Sequence, residues 1–244
     1  MNFSLSTREI ASTVCFAALY VILSFWTLFP IIGAEGKWLN AAVVMAPLFG
    51  VILGSHLGVL AITIGGLAGS LFQPIGPFGA LSFVPHAAAA FCSGMTTSEK
   101  QHICVVTYAL FLFLLTFFPV VGPVWLWPSM IWLDLIGLVV LASPAQSKAT
   151  KAINETPDSW RLVFGLATTC FTATLFGHVA GIILFEAIYW NSNVDFWRTT
   201  WQGVTFVYPI ERGLITLVAV AVGTPMLKAL EKCGLKTGFV RIDS

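Results

Sequence analysis

The chain predicts an all-α, polytopic membrane helix bundle of about eight transmembrane helices (six to eight), forming one integral domain over 1–244. Three observations carry this. Of 244 residues, 57% are hydrophobic and only 9% charged, against roughly 25% charged residues in a soluble domain. Apolar runs near the length of a bilayer crossing follow one another with short polar breaks. The cations gather in alternate breaks, the asymmetry that orients membrane proteins. A mean hydropathy of +0.89 argues against a soluble enzyme or a disordered chain. Twelve Lys and Arg against eleven Asp and Glu leave a net charge of +1, which offers nucleic acid no basic footprint.

A helix needs roughly 20 apolar residues to cross the hydrocarbon, with about 17 a practical minimum. On that scale the spans fall near 10–32, 39–54, 56–73, 80–95, 102–120, 125–143, 161–190 and 204–230. The first follows a short polar stretch and is too long for a signal-peptide core, so it reads as a retained span. The second and fourth are short, and Pro74, Pro77 and Pro85 crowd the start of the fourth. Eight crossings put both termini on one side, with Arg8, Lys100, Lys148, Lys151, Arg161, Lys228, Lys232, Lys236 and Arg241. Lys37 and Arg198 fall opposite, and Arg212 lies inside the last span. The cation-rich side, termini included, is therefore expected to be cytoplasmic. Gly50, Gly54 and Gly58 recur every four residues, and Gly65 and Gly69 repeat the spacing. Such stripes let helix backbones approach closely, and the simplest reading is internal packing with a tight turn at Gly54–Ser55.

Charge inside a bilayer is costly, so each intramembrane ionisable residue is a functional candidate. Asn40, Gln73, His86, Asp134, Glu186, Glu211 and Arg212 all fall in the outer half of their spans, while His178 lies nearer the middle. Drawn from six spans, they predict an outward-facing polar cup. Trp127, Trp132, Tyr189, Trp190, Trp201 and Tyr208 surround it. Some of these rings suit the interfacial belt, whereas Trp132 and Tyr208 lie deeper and are candidates to stack on a planar ligand. Glu211 and Arg212 are adjacent, so their side chains leave a helix about 100° apart. Arg212 is expected to reach Asp134 or Glu186 on another span, or to hold an anionic or carbonyl group of a solute. The five cysteines are scattered without a C-x-x-C pair, and neither His86 nor His178 sits in a metal-binding pattern. No metal and no cofactor is expected.

From Ser12 to Gly94, about a third of the chain, several short motifs follow in order. They are Ala17-Ala18-Leu19-Tyr20-Val21-Ile22-Leu23, then Ala46-Pro47-Leu48-Phe49-Gly50-Val51-Ile52-Leu53-Gly54, then Leu57-Gly58-Val59-Leu60. With Tyr208–Gly213 near the end, this order resembles the substrate-binding S component of energy-coupling-factor (ECF) vitamin transporters. The resemblance implies a multi-pass protein of a prokaryotic plasma membrane that captures a vitamin-like solute from outside. It implies a transmembrane coupling subunit and ATPase subunits as partners, and no enzymatic activity of its own. In the family, small residues of the first helix meet the coupling subunit; the matching positions here are Ala11, Cys15 and Ala18. The family usually has six spans, and the A-x-x-x-A pattern is not clean here. The alternatives are a stand-alone secondary transporter of a small organic solute, a scaffold subunit of a membrane complex, or a membrane-embedded enzyme using Asp134, Glu186 and His86. No P-loop and no nucleophile with an adjacent base is present in the sequence.

Overall fold

A computed structural model of the chain describes residues 6–33, 35–72, 78–155 and 159–232. The fold is all-α apart from one small hairpin. In order come α1 (Thr7–Ser24), β1 (Thr27–Pro30), β2 (Trp38–Asn40), α2 (Ala42–Phe72) and α3 (Val84–Thr97). Then follow α4 (Gln101–Thr116), α5 (Pro123–Leu126), α6 (Trp132–Ala142), α7 (Pro144–Glu155), α8 (Ser159–Tyr189) and α9 (Val194–Lys232).

Among the described residues four helices, α1, α2, α8 and α9, are by length and composition apolar enough to cross a membrane, with α2 made of two arms that meet at Gly54. A fifth span exists if Pro128–Ala142 and α7, bent by 63° from one another, count as one. The described residues thus form a bundle with four or five such helices, fewer than the six to eight expected. The shortfall is one of length. At about 1.5 Å per residue, α3 reaches about 21 Å and α4 about 24 Å, against about 30 Å of hydrocarbon. Apolar content at these segments reflects burial in protein as much as exposure to lipid. The expected first span also ends early. Helix α1 starts under a capping box between Ser6 and Glu9 and stops at Ser24. The apolar residues beyond it form β1, which pairs antiparallel with β2 through Thr27↔Asn40, Phe29↔Leu39 and Pro30↔Trp38. Pro30, together with Gly33 and Gly36 at φ 85° and 71°, forces a turn where a continuous helix was expected.

Helix α2 is broken at Gly54, with φ 80° and ψ 172°, a conformation essentially confined to glycine. A Cβ on Gly58 would lie 3.0 Å from the Phe49 carbonyl and 3.1 Å from the Gly50 Cα. The arms 42–53 and 55–72 therefore fold back on one another, and the end of α3 packs on the turn, Gly94 facing the Ser55 backbone. This is the tight turn that the glycine spacing suggested. Helix α3 packs on both α2 and α8. At the second contact a Cβ on Gly177 would collide with the Pro85 carbonyl, so only a residue without a side chain lets the two backbones approach so closely. Two apolar clusters result, one around α1, α2 and the inner face of α9, the other around α4, α6, α8 and the start of α9.

Candidate functional site

A cavity of about 990 Å³, its open mouth included, lies where the two apolar clusters meet. Four groups of side chains line it. The hairpin contributes Ile31, Trp38 and Asn40; α3 contributes Pro85 and His86; α8 contributes Thr174, His178 and Phe185; α9 contributes Trp201, Tyr208, Glu211 and Arg212. The hairpin closes one side because Gly33, at its tip, fits against Thr200 and Phe185. Pockets that combine apolar and aromatic walls with a few placed polar groups are the ordinary form of a small-molecule site.

The polar groups are held by partners behind them. His178 Nδ1 and Asp134 Oδ1 lie 3.1 Å apart, both side chains buried. Asp134 itself does not line the cavity; it orients the imidazole from α6, and Nε2 is left without a hydrogen-bond partner among the described residues. The Tyr208 ring stands edge-on to His178 at 4.4 Å. On the other wall the Tyr20 hydroxyl and His86 Nδ1 are hydrogen-bonded at 2.6 Å, which ties α1 to α3. Arg212 Nη2 lies 4.0 Å from Glu211 Oε2, an ion pair too long for a good hydrogen bond. Its guanidinium also sits 5.5 Å from the Tyr208 ring centroid. Arg212 Nε, Thr174 Oγ1 and Asn40 Oδ1 are buried without hydrogen-bond partners among the described residues. Several unpartnered polar atoms around one cavity is an arrangement that a ligand or ordered water completes.

Of the sequence-predicted set, Asn40, His86, Tyr208, Glu211 and Arg212 come together around this cavity. Gln73 lies outside the described residues. Asp134 stands one layer behind, on His178. Glu186 is fully buried at 0% exposure with neither oxygen hydrogen-bonded among the described residues, and it does not line the cavity. Arg212 pairs with neither Asp134 nor Glu186 as expected: its ion-pair partner is the adjacent Glu211. A long guanidinium bends back to its neighbour, while Asp134 is taken by His178.

Trp132 does not line this cavity. It is 41% exposed, and its Nε1–H donates to the Thr205 carbonyl at 3.3 Å. That carbonyl is the one Pro209 leaves unpaired, because proline has no N–H to donate four residues back. Trp201 lines the cavity instead; it is 1% exposed and is fixed by donating to the Val121 carbonyl at 2.8 Å. Sequence reasoning missed Tyr20 and Thr174, and left His178 outside the site. A histidine midway along an apolar run was the available signal. Ala11, Cys15 and Ala18 lie together on the exposed face of α1, opposite the buried Thr13, Ala17 and Tyr20.

Among the described residues no group of three or more His, Cys, Asp or Glu side chains is placed to hold a metal ion. No family model, no curated protein and no solved structure matches the chain.

Proposed function

We propose that the chain is a membrane-embedded solute-binding protein, the substrate-binding subunit of an ECF-type importer in a prokaryotic plasma membrane. The single observation that carries the reading is the cavity: buried, unpartnered polar atoms and aromatic walls converge at one end of an apolar bundle. At the other end the polar groups are consumed by the protein itself. Gln146 bonds Thr169 and Thr172, Thr150 bonds the Thr96 carbonyl, and Asn154 bonds the Thr97 carbonyl. One-sided capture fits a binding subunit that hands its solute to a partner. Lys148 and Lys151 lie beside those latches, at the end opposite the cup. With that end cytoplasmic, as cation excess predicts, the cup opens outward. In this reading the exposed Ala11, Cys15 and Ala18 face meets a transmembrane coupling subunit that ATPases drive. The solute is vitamin-like, planar and partly polar, and the chain performs no reaction on it.

A second reading, a stand-alone proton-coupled carrier, draws on the buried Asp134–His178 pair. Native mass spectrometry of protein purified gently from its membrane separates the two. A stoichiometric small organic molecule, with coupling and ATPase subunits attached when co-expressed, is the expected result. An empty protein that drives uptake alone in vesicles under a pH gradient overturns the proposal in favour of the carrier.

A further inference from the structure

We infer that the solute carries no net charge and presents a ring amide, an N–H donor beside a carbonyl acceptor. The inference rests on the reading of the cavity as a solute site. Its first ground is the charge on the walls. Among the described residues that line the cavity, the charged side chains are Glu211 and Arg212, one of each sign. Both are buried and they lie 4.0 Å apart, and Arg212 also rests against the Tyr208 ring. Their charges cancel, so neither a cation nor an anion entering the cavity meets a free counter-charge. A buried charge is tolerated only when paired, and an ionic solute would have to break the existing pair to gain a partner.

The second ground is the character of the unpartnered atoms on the walls. They are Asn40 Oδ1 on β2, Thr174 Oγ1 and His178 Nε2 on α8, and Arg212 Nε on α9. Thr174 and His178 are four residues apart, so they share one face of α8. Asn40 Oδ1 accepts. His178 Nδ1 faces Asp134 and spends its N–H there, which leaves Nε2 of the neutral ring an acceptor as well. Arg212 Nε–H can only donate, and the Thr174 hydroxyl serves either way. A solute with acceptors alone leaves Asn40 and His178 unmet, and one with donors alone leaves Arg212 unmet. A ring amide supplies both functions in one plane, and the Trp201 and Tyr208 rings give that plane apolar walls.

The test uses four probes built on one bicyclic ring. Isoquinolone has the N–H beside the carbonyl, and N-methylisoquinolone keeps only the carbonyl. N-methylisoquinolinium is the cation and isoquinoline carboxylate the anion. Each is titrated calorimetrically into the purified full-length protein, with empty detergent micelles as the blank. Isoquinolone is expected to bind tightest, about tenfold above its N-methyl derivative, the scale of one lost hydrogen bond, and above both ions. That gap is expected to narrow in Asn40→Leu, in His178→Phe or in both; a gap kept in both variants overturns the inference. The wild-type series needs no variant, so misfolding of either does not obscure the answer. An ion or N-methylisoquinolone binding as tightly as isoquinolone overturns the inference and leaves the solute-binding reading standing, as does a charged molecule that co-purifies with the protein. Failure of all four to bind, in a protein that also purifies empty, overturns both.

Discussion

His178 and Asp134 are 44 residues apart and 3.1 Å apart in space. Each was visible in the sequence as an expensive ionisable group in an apolar run; that they are partners was not, because nothing local encodes a contact between α6 and α8. The pairing makes a separable prediction. Asp134→Ala leaves the imidazole Nδ1–H unpaired, which is expected to cost about 1–3 kcal/mol and to weaken solute binding. Asp134→Asn keeps an acceptor oxygen and should restore most of both, read by thermal melting and by titration of the co-purified solute. Trp132 tests the opposite point. The sequence suggested it as a stacking wall, whereas the structure shows it serving the carbonyl that Pro209 frees. Trp132→Phe is therefore expected to lower stability by about 1 kcal/mol with no change in solute affinity; a large loss of affinity would return Trp132 to the site.

At the scale of elements, helix type was legible and helix ends were not. The long runs became α8 and α9 nearly where hydropathy placed them, α9 beginning ten residues early at Val194. The run 10–32 did not stay helical, since a stretch of Thr, Leu, Phe and Pro near paired glycines suits a strand and a turn equally well. Gly54 was readable, because a glycine between two apolar arms marks either a packing stripe or a reversal, and here it is the reversal. Gly54→Ala is expected to destabilise the bundle by about 1–3 kcal/mol, the scale of a strained backbone position, seen as a lower melting temperature in detergent. At the α3–α8 crossing, Gly177→Leu would drive a side chain into the Pro85 carbonyl. It should abolish solute binding by parting the two walls that hold His86 and His178.

At the scale of the molecule, labelling checks the proposed orientation, with the cup outward and the α7 end cytoplasmic. In a variant without native cysteines, Lys37→Cys in the hairpin loop should react with a membrane-impermeant maleimide on intact cells. Lys151→Cys on α7 should react only after permeabilisation. The reverse pattern would turn the cup to the cytoplasm and remove the basis for capture from outside.

Composition and hydropathy by themselves predicted an all-α bundle of long apolar helices of the kind that crosses a membrane, because 9% charged residues cover little of a water-facing surface. The cost of charge in hydrocarbon likewise singled out His86, Glu211 and Arg212, which line one cavity. Tertiary structure alone decided how many helices are long enough to span, since a short apolar segment buried among its neighbours reads like one facing lipid. It alone decided which polar groups face a common cavity, because side-chain direction depends on where each helix breaks and on which glycine lets two backbones touch.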